Sequence, residues 1–226
     1  MTVSLAAIRR YPVKSMGGEE LARVVLDSRG LVGDRWFAVV DAEGRLSSGK
    51  NSRRFRRRDA VFDYAAQTEG EQVLVTRGDA RWRVGADELD VELSAAMGAA
   101  VRVLPENEVP HFDDGPISLI GTATLAWCAE RGIDADPRRL RVNLLLETAE
   151  PFVEEGWLGT EVTLGGAALR IVDRVPRCRM IDIDQDGAAA RGEWLKLLGA
   201  EREACAAVYA AVVRPGEVTV GDRLTR

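Results

Sequence analysis

The sequence predicts a mainly β chain with a few short helices, an α+β class in which strands dominate. Two patterns carry that expectation. Short apolar or alternating segments rich in Val, Ile, Leu and Thr recur along the chain, and Gly-, Pro- and Asp-bearing turns separate them. Helical spacing, by contrast, is confined to a few brief stretches.

Taken in order, residues 2–11 (TVSLAAIRRY), 21–27 (LARVVLD) and 34–41 (DRWFAVVD) read as strands. Ala42, Glu43 and Gly44 form a turn, and RLSS follows as a hairpin partner. VFDYAAQT and VLVTR (73–77) pair across Glu69–Gln72, and RWRVG (81–85) continues the meander. ELSAAMG (92–98) reads as a helix stopped by Gly98, after which VRVL returns to strand. The polar, proline-bearing loop PENEVPHFDDGP then suggests a boundary near residue 100, hence two domains, 1–100 and 101–226.

In the second half, Thr122 is placed to cap a helix through ATLAWCAERG that stops at Gly132, with Leu125, Cys128 and Ala129 on one face. RVNLLLE (141–147), EVTLG (161–165) and ALRIVDRV (168–175) read as strands, and GEWLKLLG (192–199) as a helix. ACAAVYAAVV (204–213) suits helix by its alanines and strand by its length and the turn after it. VTVGDRL closes the chain as a strand.

Composition narrows the function classes. A net charge of -5 gives no global attraction to nucleic acid or anionic lipid. No apolar run is long enough to span a bilayer, and the first residues lack the order of a secretory signal, so a cytoplasmic location is expected. Three cysteines with no C-x-x-C pair argue against a disulfide framework. A single histidine, His111, argues against most zinc and non-haem iron sites and against most Ser-His or Cys-His nucleophiles.

Five places hold chemistry-bearing residues. Cys178 stands between Arg177 and Arg179 in DRVPRCRMIDID, where guanidinium groups favour the thiolate that ligates metals. The competing reading is a small buried hydrophobe, because neighbours on a strand point to opposite faces unless Pro176 breaks the pleat. Cys128 and Cys205 read as core. Lys14 and Ser15, in a turn before Gly17-Gly18, suit an anion such as phosphate, or are simply a solvated turn. Arg35 opens an apolar strand and needs an anionic partner, either a ligand or Asp34 or Asp41. Arg141 and Asn143 alternate on one face of an expected core strand and want a polar partner, and Asp114 lies at a loop-to-strand junction. SRRFRRRD (52–59) is a solvated basic loop, a nucleic-acid grip or a docking surface for an acidic electron-transfer protein.

Seven fragments in order, YPVKSMGGEEL, GLVGDRWFAVVD, DDGPISLIGTATL, RRLRVNLLLE, FVEEGWLG, PRCRMIDID and RPGEVTVGD, resemble the MOSC family. That family is named for the C-terminal domain of molybdenum-cofactor sulfurase. The resemblance is strongest to two-part members with an N-terminal β-barrel-like segment, the group of the mitochondrial amidoxime-reducing component and its bacterial relatives. It implies a MOSC-type β-barrel, a molybdenum–pyranopterin cofactor, and reduction of small N-hydroxylated compounds. It also implies that Cys178 ligates the metal, that Lys14, Ser15, Arg35, Arg141 and Asn143 hold the cofactor, and that Asp114 sits near metal and substrate. The chain lacks the cysteine spacing of a plant-type iron–sulfur domain, so electrons are expected from a separate protein. Two departures stand out: Leu140-Arg141-Val142-Asn143 replaces the family's F-R-P-N, and a glycine follows Asp114 where animal reductases carry a hydroxyl. The alternative is a non-redox module that carries sulfur as a Cys178 persulfide or handles the cofactor for another protein.

Overall fold

In β1 (Val3–Arg10) the apolar side chains do not alternate strictly, yet Leu5 and Ile8 are both buried. A register irregularity between Leu5 and Ala7 in its pairing explains this, because an extra residue resets the inward face. The structure is a computed structural model and describes residues 3–226; Thr2, where the sequence reading starts its first strand, lies outside them.

The first half continues with β2 (Glu19–Leu21), β3 (Arg23–Asp27), β4 (Gly30–Leu31), β5 (Phe37–Asp41), β6 (Leu46–Ser48) and β7 (Phe55–Arg57). β8 (Ala65–Glu69), β9 (Gln72–Arg77), β10 (Ala80–Arg83), α1 (Asp87–Met97) and β11 (Val101–Pro105) follow. The second half comprises β12 (Ile117–Gly121), α2 (Thr122–Ala129), α3 (Pro137–Leu140), β13 (Leu144–Glu147), β14 (Glu161–Leu164) and β15 (Ala167–Pro176). It ends with α4 (Trp194–Arg202), β16 (Cys205–Arg214), β17 (Gly216–Thr219) and β18 (Arg223–Thr225).

Seven strands close a barrel in the order β1-β13-β12-β16-β15-β14-β18 and back to β1, with β2 added beside β1. β12 and β13 run parallel, and the other barrel pairs are antiparallel. Closure leaves the barrel strands no free edges, and its interior is filled by Leu5, Leu119, Leu144, Leu169, Ile171 and Val208 among others. The mainly β expectation therefore holds, with four short helices among the described residues. A second core, including Val39, Phe62, Leu89, Leu93 and Val103, lies among β5, β11, α1 and the meander β8–β10. β1 sits in the barrel and β17 pairs with β3, so the ends of the chain are interwoven.

Several local expectations are corrected. Val61 and Phe62 belong to a 3-10 turn, Asp59–Asp63, which buries two adjacent apolar residues as no strand face does. α1 starts at Asp87, five residues earlier than expected, with Asp87, Glu88 and Asp90 in its first turn, where the helix dipole favours acids. Thr122 is the first helical residue of α2 and Gly121 precedes it at the cap; α2 ends at Ala129, which is exposed, and its buried residues are Thr124 and Cys128. The ambiguous segment is strand β16, held on both sides by β12 and β15. β13 begins only at Leu144, so Arg141 and Asn143 are not strand neighbours: Arg141 ends α3 in the left-handed region at φ 53°. β15 ends at Pro176, and Cys178 leads into a 3-10 turn, Arg179–Asp182.

Candidate functional site

A cavity of about 240 Å³ opens where β15 ends, and Lys14, Ser15, Arg35, Asp114, Arg141, Asn143 and Cys178 all line it. All seven residues selected from the sequence thus meet in one place, although Lys14 and Cys178 are far apart in the chain. Three of them, Ser15, Arg35 and Arg141, hold positive φ angles of 70°, 54° and 53°. Such backbone is uncommon outside glycine and concentrates where side chains must be aimed.

Lys14 leaves β1 through the buried segment Tyr11–Val13, and its amide donates to the Phe37 carbonyl at 2.8 Å. Its side chain is 6% exposed, and its Nζ lies 3.0 Å from Asp113 and 5.1 Å from the centre of the Phe55 ring. Burial pushes the ammonium pKa down to about 8, against the opposing pull of Asp113. Ser15 donates its hydroxyl to the Ser47 carbonyl at 3.1 Å.

Arg35 pairs with buried Asp34, as one of the sequence readings expected, and donates to the Arg141 carbonyl at 3.1 Å. Asn143 is held from three sides: its Oδ1 accepts from the amide and hydroxyl of Ser118 at 3.2 Å each, and its Nδ2 donates to the Arg9 carbonyl at 3.3 Å. Its role in this structure is therefore to fix the loop between α3 and β13 beneath Arg141.

Arg141 differs from the others. It lies 4.3 Å from the centre of the Tyr11 ring, is 9% exposed, and has both terminal nitrogens buried without a hydrogen-bond partner. Burial lowers its pKa to about 10. A buried guanidinium with unpaired terminal nitrogens carries a cost that an anionic partner would relieve.

Cys178 is half-buried at the cavity wall, not sealed in the core, whereas Cys128 is fully buried. Its neighbours diverge. Arg179 turns out to Asp59 at 3.1 Å and to the Gly49 carbonyl at 2.6 Å. Arg177 turns in and donates to the carbonyls of Ala206 and Leu140 at 2.7–2.9 Å, with no carboxylate partner among the described residues. Burial lowers the Arg177 pKa to about 10. Cys205, expected in the core, is half-buried instead, at the outset of β16.

Sequence reasoning passed over Asp113, Lys50 and Tyr209 and weighed Arg177 only as a neighbour of Cys178; all four also line the cavity. Asp113, and not Asp114, makes the ion pair with Lys14; Lys14 and Lys50 together outweigh burial and hold its carboxyl below the usual range. The one available signal was the doubled Asp113-Asp114. Tyr209 on β16 packs against Gly115, where an added Cβ would stand 2.6 Å from its ring, and burial raises its phenol to about 12. Six cations, Lys14, Arg35, Lys50, Arg139, Arg141 and Arg177, line the cavity with two carboxylates, Asp113 and Asp114; Asp34 and Asp182 pair with Arg35 and Arg139 from outside the lining, and the balance remains cationic in an acidic chain.

The basic run is largely engaged. Arg54 donates to the Pro110 carbonyl, Arg57 pairs with Asp59 at 2.8 Å and Arg58 with Asp41 at 3.0 Å. Among the described residues no group of three or more His, Cys, Asp or Glu could hold a metal ion, and no helix is long and apolar enough to cross a membrane.

Comparison with known proteins agrees with this architecture. The family model described as MOSC domain matches residues 106–225, and the one described as MOSC N-terminal beta barrel domain matches residues 2–104. The molybdenum cofactor sulfurase of Danio rerio is 22% identical over 245 residues, covering 83% of this chain and 29% of that protein. The chain thus spans less than a third of the length of that curated relative. The crystal structure of the YuaD protein from Bacillus subtilis has a TM-score of 0.51 at 13% identity, covering 99% of this chain and 94% of that one, which shows a shared fold. YiiM from Geobacillus stearothermophilus has a TM-score of 0.38 at 17% identity, covering 50% of this chain and 54% of that one.

Proposed function

The chain belongs to the MOSC domain family, and on that premise we propose that its cationic cavity binds a phosphorylated molybdenum–pyranopterin and that the loaded chain reduces N-hydroxylated compounds such as amidoximes and N-hydroxylated bases. The observation that carries the reading is the convergence of a half-exposed thiol, Cys178, with the unpartnered buried guanidinium of Arg141 in one cavity.

The residues present fit such a group. Arg141 offers two free donors, and Lys14 and Arg35 add positive charge, for a phosphate. Cys178 offers one soft sulfur, which suits a metal whose remaining sulfur ligands come from the pterin itself, in a chain with no multi-residue metal cluster among the described residues. The bound group supplies two-electron redox chemistry with transfer of an oxygen atom, and the protein supplies binding, orientation and electrostatics. Arg177, next to Cys178 and half-buried, is held by the Ala206 and Leu140 carbonyls and adds fixed positive charge at the wall. Asn143 and Ser118 hold the Arg141 loop, and the Tyr209 phenol stays protonated as a hydrogen-bond donor at the wall. Asp114, exposed at the cavity edge, is placed to meet a substrate. Electrons come from a separate redox protein in this reading.

The test is reduction of benzamidoxime by chain made in a host with an intact pterin pathway, using a chemically reduced viologen dye as donor. The expected result is benzamidine formation that Cys178→Ser abolishes. No product from metal-loaded chain, or equal product from Cys178→Ser, overturns the reading.

A second reading draws on the likeness to a molybdenum cofactor sulfurase. In it Cys178 carries sulfur as a persulfide, or the chain delivers cofactor to another protein. An added sulfur on Cys178 in intact-mass spectra, without bound pterin, would favour it.

A further inference from the structure

The cavity already contains one anion of its own. The Asp113 carboxylate lies 3.0 Å from the Lys14 ammonium and 3.8 Å from that of Lys50. Both ammonium groups rest over the same Phe55 ring, at 5.1 and 4.7 Å from its centre. Lys14 is buried, but Asp113 and Lys50 have side chains 45% and 35% exposed. The loop that carries Asp113 is fastened on either side of it. Arg29 grips Glu106 with two hydrogen bonds, Arg54 holds the Pro110 carbonyl, and Gly115 is pinned under Tyr209. The Asp113 side chain thus projects, 45% exposed, from a fixed root.

A phosphate drawn to Lys14 would meet that carboxylate at close range, and two like charges cannot share one ammonium without penalty. Lys50 offers Asp113 a second ammonium less than an ångström farther away, on the same aromatic platform. We propose that Asp113 is a displaceable internal anion: it neutralises Lys14 while no ligand is bound, and moves to Lys50 when a phosphate group takes its place. Lys50 then serves as the acceptor of the displaced carboxylate and not as a direct ligand. The inference rests on the reading of the cavity as a phosphate site. It adds a rule for entry: at Lys14 the ligand exchanges with a carboxylate, while the Arg141 donors stand free for it, so the cavity discriminates against weak anions.

The experiment is a double-mutant cycle. Full-length chain free of pterin is titrated with inorganic phosphate by calorimetry at low ionic strength, as wild type, Asp113→Asn, Lys50→Ala and the double variant. Asp113→Asn should bind phosphate on the order of tenfold tighter, because nothing has to be displaced. Lys50→Ala should bind several-fold weaker than wild type, yet the same substitution should change nothing in the Asp113→Asn background. If Lys50→Ala weakens binding equally in both backgrounds, Lys50 acts as simple charge and the exchange is refuted. Unchanged affinity in Asp113→Asn refutes it as well. If no variant binds phosphate, both the exchange and the phosphate reading of the cavity fail. Asp113 is exposed and Lys50 half-buried, and circular dichroism checks that each variant is folded.

Discussion

Lys14 gives a prediction that separates function from stability. The unfolded chain holds its proton to about pH 10.5, whereas the folded chain releases it at about 8, because burial outweighs Asp113. The gap corresponds to ~3 kcal/mol against the charged form in the folded state. Between those two values the unfolded chain binds the extra proton, so stability rises with pH across that window; below it, the buried charge is a full burden. Lys14→Met keeps the unbranched shape and removes the charge. At pH 7 the cofactor-free variant should be more stable than wild type by up to ~3 kcal/mol, and the gain should shrink toward zero by pH 10. Asp113 keeps Lys50 at 3.8 Å, so it is not stranded. Urea unfolding followed by tryptophan fluorescence at both pH values reads the difference. The same variant should lose phosphate binding, the usual exchange of stability for a charged site. A Lys14→Met chain less stable than wild type at pH 7, or equally favoured at both pH values, would refute the account of Lys14 as a desolvated cation held for a ligand.

Two further predictions concern the loop between β11 and β12. His111 is buried, and burial lowers its pKa to about 4 against an ordinary 6.5, with Glu106 opposing and Lys14, Arg54 and Arg29 assisting. Its folded pKa is depressed, so the unfolded chain takes up a proton first as pH falls from 6.5 to 4, and His111 should cost up to ~3 kcal/mol of stability over that span. His111→Asn should flatten that part of the stability profile measured by urea unfolding, and an unchanged slope would contradict it. Gly115→Ala should destabilise the chain by about 1–3 kcal/mol, because its Cβ would stand 2.6 Å from the Tyr209 ring. Stability equal to wild type would mean that the ring is not fixed there.

How far the sequence could be read depended on whether the deciding contact was local. Strand patterning and Gly98 marked the meander and the end of α1, and motif order brought the seven cavity residues forward before any geometry. The alanine-rich β16 was undecidable from propensity, because what makes it a strand is a neighbour on each side, β12 and β15. Arg141 and Asn143 imitate strand alternation, yet the left-handed Arg141 closes α3 and only a folded chain reveals it. Asp113 pairs with a lysine 99 residues away and could not be picked from local pattern, while Arg177, visible beside Cys178, is oriented by the carbonyls of Ala206 and Leu140, which only the fold brings to it. Arg141 was visible as a residue, but its idle donors were visible only once every neighbour was placed.

The most direct measurement is the molybdenum and pterin content of the purified chain from a host with an intact pterin pathway, for wild type, Cys178→Ser and Arg141→Met. Near-equimolar metal and pterin in wild type, pterin retained but metal reduced in Cys178→Ser, and both lost in Arg141→Met is the predicted pattern. A wild-type chain with neither metal nor pterin, or an Arg141→Met chain loaded as fully as wild type, would contradict the claim that this cationic cavity is a phosphorylated-cofactor site.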